Sequence, residues 1–333
     1  MFLQYPIGPP QVCASAESSL SSKSVRRDAR VPIGRVESLS HPTSSHYMLA
    51  SLPWHGPPPR LVHETKGLLF VDKPAGLSFH ASEEFGDPGI FPLLRAMCAN
   101  GDIAYDGRLY SVHRLDRVTS GLLMVAKTAE AAAEAGELLR ERRLQKYYCA
   151  LSGRKPSKKM GKVRGDMERS RRGQWKLLRS MNRPATTAFI SEALVHEEED
   201  PRTVAEASAA ASSSSAARRA FVLKPLTGRT HQLRVALKSL GSPVLGDPMY
   251  AAATAAANEQ RAYLHAAALR IPAGRPALSE DGAPVDVICP PTEGAAFQSA
   301  AFQRWWQKWF AAQEEGAAWW EGTPVASPGW ADR

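Results

Sequence analysis

Asp116 stands in the segment HRLDRVTSG, His113 to Gly121, directly before the apolar run LLMVA. Arg114 and Arg117 flank it, and two cations beside a carboxylate favour its ionised form. An ionised carboxylate on a loop above a strand end can serve as nucleophile, base or metal ligand. The plainer alternative is a structural Asp–Arg pair that fixes a turn, and for this segment in isolation that is the reading. A second segment, QKYYCAL, holds Tyr147 and Tyr148 side by side. In a strand only one of them can face a cleft, where it could stack on a base or relay a proton; otherwise both are core aromatics. A third, LKPLTGRTHQLRVALKSLGSPVLGDPMY, has a turn at Thr227 and Gly228. Arg229 and Arg234 then flank a helix start with Thr230 as its cap, and free backbone N–H groups there favour anions. Capping with surface arginines is the plain reading of that pattern.

Charge gives these segments a context. The 333 residues carry 42 Lys and Arg against 33 Asp and Glu, a net +9. Residues 155–183 alone hold eleven cations against Asp166 and Glu168, again +9. Arg169, Arg171 and Arg172 lie at the centre of that stretch, which is either a solvated basic loop or the binding surface for a polyanion. Hydrophobic residues make up 44% of the chain and charged residues 23%, which excludes a wholly disordered protein. No run of about eighteen apolar residues occurs, so no integral membrane segment is expected. Cys13, Cys98, Cys149 and Cys289 are far apart with no C-x-x-C pair, which argues against a zinc ribbon and fits a reducing compartment. There is no dinucleotide-binding glycine fingerprint.

The elements that must position these residues can be read in outline. Folded sequence is expected from near Gly67, where GLLFVDKP reads as a buried strand closed by a Lys-Pro-Ala-Gly turn. GIFPLLRAMCAN has helical spacing, GLLMVAKT is a second strand, and AEAAAEAGELLRERRL is a helix of good propensity. KYYCALSG, Ala185–Leu194 and Ala220–Pro225 follow as strands, THQLRVALKSLG as a helix, and AYLHAAALRIP as a closing strand. Strands and helices mix without regular βα alternation, which predicts an α+β fold. Three parts are expected: an extension over 1–60, a folded body over 61–295, and a Trp-rich helix and tail over 296–333. The extension is Ser/Arg-rich and acid-poor, either a transit peptide or disorder with no address. An acidic and Ala/Ser-rich insertion at about 197–219 interrupts the body. AFQRWWQKWF places Phe302, Trp305, Trp306, Trp309 and Phe310 on one helical face, expected to dock on the body.

KPAGLSFH, HRLDRVTSG, KYYCALSG, TGRTHQLRVALKSLGSPVLGDPMY and YLHAAALRI occur in this order. The set closely resembles the RluA-type family of RNA pseudouridine synthases, over roughly residues 61–272. The stretch VRGDMERSRRGQWKL is similar to a compact subgroup of that family without an S4-like RNA-binding domain. The resemblance implies a core with a central mixed, mainly antiparallel sheet flanked by helices and loops. It also implies an isomerase that turns uridine into pseudouridine in RNA without cofactor or metal. Residue by residue, it places the catalytic aspartate at Asp116, the active-site tyrosine at Tyr148 and the basic partner of the aspartate at Arg234. Arg114 would enter the RNA stack where the target base leaves it, with Arg117, Arg229, His231 and the basic stretch contacting RNA. Ala236, where many members carry His, is given no role.

The expected partner is therefore rRNA or tRNA, bound by a monomer. The expected location is a plastid or mitochondrion if the leader is a transit peptide, and the cytoplasm otherwise. The principal alternative is an RNA-binding protein of the same fold without catalysis, which retention of Asp116, Tyr148 and Arg234 together opposes. An aspartate-nucleophile hydrolase would need a second acid, and no D-x-D pattern accompanies Asp116. His113, His231 and His265 match no zinc spacing.

Overall fold

The computed structural model describes residues 52–194 and 218–310. Most of the expected leader, nearly all of the Ala/Ser insertion and the tail beyond Phe310 lie outside the described residues.

Twelve strands are present among the described residues: β1 (Arg60–Glu64), β2 (Leu68–Lys73), β3 (Tyr110–Ser111), β4 (Ser120–Ala126), β5 (Gln145–Ser152), β6 (Met160–Gly165), β7 (Met167–Arg169), β8 (Trp175–Leu177), β9 (Ala185–Ala193), β10 (Arg219–Pro225), β11 (Leu264–Ile271) and β12 (Val285–Ile288). Ten form one sheet along β1-β2-β4-β11-β5-β10-β9-β6, with β3 on β4 and β12 on β11, while β7 and β8 make a separate hairpin. Every pairing in the large sheet is antiparallel except that of β4 with β11. The helices are α1 (Ile90–Asn100), α2 (Ala129–Arg140), α3 (Gln232–Ser239), α4 (Ala253–Ala257), α5 (Ala295–Gln298) and α6 (Ala300–Phe310). The fold is the expected α+β arrangement around a mixed, mainly antiparallel sheet.

The sheet is covered on both faces, so β2 and β4 are buried along their whole length. Alternation along the shared strands sorts residues into two cores. Tyr148 and Ala150 of β5, with Phe221 and Leu223 of β10, belong to a core shared with α1, α2 and α3. Tyr147, Cys149 and Leu151, with Ala220 and Val222, belong to a second core roofed by Phe302, Trp305, Trp306, Trp309 and Phe310 of α6. The amphipathic face of AFQRWWQKWF is thus the lid of that second core. β9 and β10 close against each other where the Leu194 amide donates to the Arg218 carbonyl at 2.8 Å.

Four local expectations need correction. Ordered packing starts before Gly67: Leu52 and Trp54 pack on the first core and β1 begins at Arg60. RLVHE carries no apolar run, and β1 forms because β2 offers it a partner, across a bulge between Leu61 and His63. The helix expected to run to Leu144 ends at Arg140. Arg142 takes a left-handed conformation, φ 59°, and the Arg143 amide turns back to the Leu138 carbonyl so that β5 can start at Gln145. The basic stretch, expected as a loop or stripe, contributes the edge strand β6 and the hairpin β7–β8. Its alternation is masked because β6 sits at the edge and buries only Val163 and Gly165. Finally, Thr230 does not cap α3. His231 occupies the cap position in a left-handed conformation, φ 57°, without a side-chain cap bond.

Candidate active site

Asp116 is held by its loop before any ligand arrives. Nε2 of His113 accepts the Met124 amide at 3.0 Å, which pins the start of the loop to β4. Burial keeps this imidazole neutral, pulling it down to about 3. The end of the loop is clamped to the Lys-Pro-Ala-Gly turn. The Gly76 amide donates to the Arg117 carbonyl at 2.8 Å, and Arg117 Nη1 returns to the Gly76 carbonyl at 3.1 Å. Lys73, fully buried, donates from Nζ to the carbonyls of Pro74, Leu77 and Arg117 at 2.8, 2.9 and 3.4 Å. Burial pulls its pKa down to about 7, with Arg261 adding and the Asp116, Asp72 and Asp87 carboxylates opposing.

The cation that meets Asp116 comes from α3. Arg234 Nη1 lies 3.3 Å from Asp116 Oδ2. Arg234 is buried, the opposite of the surface arginine that the local pattern allows, because Asp247 receives it: Nε and Nη2 fork onto the two Asp247 oxygens at 2.7 and 2.8 Å. Asp247 is itself fully buried, and its Oδ1 also accepts the amides of Met249 and Tyr250 at 2.9 and 3.1 Å. A forked pair with every oxygen occupied fixes the guanidinium plane. The remaining Nη1 is thereby aimed at Asp116. The preceding turn is tied by Gln232, whose Oε1 accepts the Thr227 hydroxyl and the Arg229 amide at 2.7 and 3.0 Å.

Asp116 and Tyr148 line one cavity of about 730 Å³. Tyr148 sits on the cleft side of β5 and Tyr147 on the other, as strand alternation requires. Burial, together with the Asp116 charge, raises the Tyr148 phenol far above its ordinary value, so it is neutral. Arg114, Arg229 and His231 line the same cavity. Burial holds His231 below the usual imidazole range, opposed by the Asp116 charge. Arg140, Arg142, Lys146 and Lys224 also line it, and the sequence motifs do not single them out. The available signal is the basic end of α2 running straight into the tyrosine strand. Asp247, within GDPMY, has no expected role, because pairing across thirteen residues and a turn is invisible in a string.

Arg117, Arg169, Arg171 and Arg172 do not line this cavity. Arg117 turns away from Asp116 and stacks its guanidinium 3.8 Å from the centroid of Phe85. Arg169, Arg171 and Arg172 are exposed at the tip of the β7–β8 hairpin, with Arg172 left-handed at φ 54°. The hairpin is anchored beside the site: Gln174 Nε2 donates to the Met249 carbonyl and the Trp175 amide to the Tyr250 hydroxyl, both at 2.9 Å.

The three histidines do not converge on a metal site. His113 is bonded to Met124, and His231 Nδ1 to the Tyr250 hydroxyl at 2.9 Å. His265 lies between Ser120 Oγ and the Cys289 carbonyl, both at 2.8 Å. Asp72, His265 and Cys289 bring one donor atom each within 4.8 Å of one another, but both His265 nitrogens are already engaged.

Comparison with known proteins identifies the family. Residues 67–239 match the profile of a family described as RNA pseudouridylate synthase. An uncharacterized RNA pseudouridine synthase of Haemophilus influenzae is 40% identical over 209 residues, 63% of this chain and 80% of that protein. The dual-specificity RNA pseudouridine synthase RluA of Escherichia coli is 38% identical over 163 residues, 48% of this chain and 66% of that protein. Human pseudouridylate synthase RPUSD2 is 31% identical over 195 residues, 58% of this chain but only 31% of its own length. Among solved structures, human RNA pseudouridylate synthase domain containing 4 superposes with a TM-score of 0.51 at 23% identity. The match covers 74% of this chain and 92% of that one, a likeness of fold.

Proposed function

The chain belongs to the RNA pseudouridylate synthase family and is an RluA-type isomerase that forms pseudouridine in RNA, and from that premise we propose that Asp116 is its catalytic carboxylate and structured rRNA or tRNA its substrate. The observation that carries the assignment is Asp116 at the wall of the cavity, 3.3 Å from an arginine that Asp247 has already oriented.

The reaction sets the physical demands. The bond from uracil N1 to ribose C1′ breaks, the base turns, C5 bonds to C1′, and the hydrogen leaving C5 is balanced by one gained at N1. Oxidation states are conserved, so no redox cofactor enters, and Arg234 supplies the positive charge that stabilises the working carboxylate. The target base must first leave its stack, at a cost of a few kcal/mol. Arg114, exposed at the cavity mouth one residue before Leu115, is placed to fill the gap. Asp116 then acts at the sugar or base as nucleophile, or as base at the sugar, while Tyr148 stacks on the uracil face. Tyr148 is neutral at working pH and so can give or relay a proton only as the phenol. Arg229 and the hairpin arginines supply phosphate contacts that position RNA without reading it.

On this reading the enzyme acts as a monomer without a metal, in a plastid or mitochondrion if residues 1–60 are a transit peptide and in the cytoplasm otherwise. Asp116→Asn keeps the shape and removes the charge. It is expected to abolish pseudouridine formation in a transcript assay run in EDTA while retaining most RNA affinity. An active Asn variant overturns the assignment. Pseudouridine mapping of cellular rRNA and tRNA with and without the protein identifies the modified RNA.

A further inference from the structure

Tyr250 is buried at the meeting point of three elements that the reaction needs, yet it lies outside the reacting groups. Its ring packs under the Arg234 guanidinium, 4.9 Å from ring centroid to guanidinium carbon, and edge-on to His231, with centroids 5.7 Å apart at 85°. Its amide is held by Asp247. Its hydroxyl has two neighbours, the Trp175 amide and His231 Nδ1, both at 2.9 Å.

One of those two contacts has a set direction, and it bears on the other. An amide N–H can only donate, so the Tyr250 oxygen accepts from Trp175. The phenol has one hydrogen of its own, and among the described residues the acceptor within reach is His231 Nδ1. When the phenol gives that hydrogen to Nδ1, His231 presents its lone pair there and as a neutral imidazole carries its own hydrogen on Nε2. His231 lines the Asp116 cavity, and its backbone is held left-handed at φ 57°, an uncommon conformation that persists only where surrounding contacts impose it.

We propose that Tyr250 is a positioning residue: its hydroxyl locks His231 as the Nε2–H tautomer, making His231 a fixed hydrogen-bond donor to an oxygen of the target nucleotide in the Asp116 cavity. The amide that orients the hydroxyl belongs to β8, so seating of the basic hairpin and the donor state of His231 are set by one phenol. The functional half rests on Asp116 as the reacting carboxylate; the tautomer does not.

The test uses the full chain with isotope-labelled histidine. Long-range proton–nitrogen correlation spectra at neutral pH, with His231 assigned by its loss in His231→Gln, report the tautomer directly. Wild type is expected to show protonated Nε2 and bare Nδ1. Tyr250→Phe keeps the ring and removes the hydroxyl. It is expected to give a mixture of tautomers and to lower single-turnover pseudouridine formation on saturating RNA roughly tenfold, the worth of one hydrogen bond. His231→Gln, whose amide places an N–H near the Nε2 position, is expected to outperform His231→Ala and to be insensitive to a further Tyr250→Phe change. A bare Nε2 in wild type overturns the proposal. So does a tautomer that Tyr250→Phe leaves unmoved, or one that moves without any change in rate. If Tyr250→Phe does not fold, equal rates for His231→Gln and His231→Ala overturn it instead. An active Asp116→Asn variant removes the functional half and leaves the spectral result standing.

Discussion

The reacting carboxylate is governed by residues far from it in the chain. Arg114 and Arg117 flank Asp116, but the guanidinium bonded to it belongs to Arg234, and Arg234 is aimed by Asp247. The residue types were legible because the ordered strings are specific; the third member was not, since nothing in GDPMY announces that its aspartate will be buried under an arginine. Asp247→Ala leaves the buried Arg234 without its forked partner, and breaking such a pair costs about 3–5 kcal/mol. Urea unfolding should show that loss, and activity should fall with it, whereas Asp116→Asn should leave stability nearly unchanged. Acid sensitivity follows from two histidines, His265 buried and His113 half-buried. His113 and His265 are pulled by burial from 6.5 to about 3 and about 4. Between about 6.5 and 4 the unfolded chain binds a proton at each site and the folded chain does not. Unfolding therefore takes up protons, and stability falls as pH drops through that window, by about 1.4 kcal/mol per pH unit for each histidine. Urea midpoints measured across the window should decline accordingly, and His113→Gln should remove part of the slope.

Among the elements, those with an apolar signature were readable and those defined by a partner were not. β2, β4 and β10 announce themselves because both faces are covered. β1, β6 and the β7–β8 hairpin carry charge on their exposed sides and exist through pairing, which a single string does not display. The hairpin matters most, since it turns a run of basic residues into an arm anchored by Gln174 and Trp175 beside the cleft. Replacing Arg169, Arg171 and Arg172 by Ala should weaken every RNA alike. It should also flatten the fall of log affinity with log salt by roughly 0.7–0.9 for each phosphate that is no longer neutralised. Single-turnover chemistry on saturating RNA should stay nearly unchanged, because none of the three lines the Asp116 cavity. An unaltered salt slope would show the arm to be solvated and leave RNA binding to the cleft.

Across the whole molecule, β5 is the partition between the two cores, with Tyr148 on the side that does the chemistry and Tyr147 on the side roofed by the tryptophans of α6. A further consequence lies where β9 and β10 close. The chain leaves the sheet after Leu194 and re-enters at Arg218, and a single 2.8 Å hydrogen bond joins those two residues. The gap that the segment 195–217 must bridge is thus set by the sheet, whatever the length of the segment. Closing a loop costs entropy only as the logarithm of its length, about 0.6 kcal/mol per doubling. This end of the β9–β10 pair is accordingly a candidate splice point, where a short Gly/Ser linker, or a reporter peptide whose own ends lie close together, can be put in place of residues 195–217. Such a chimera should keep the β9–β10 register, unfold within about 1 kcal/mol of the parent and retain its rate on RNA. A marked loss of rate with stability intact would mean that the segment reaches the RNA, giving the splice point a second use as a graft site for altering which RNA is held.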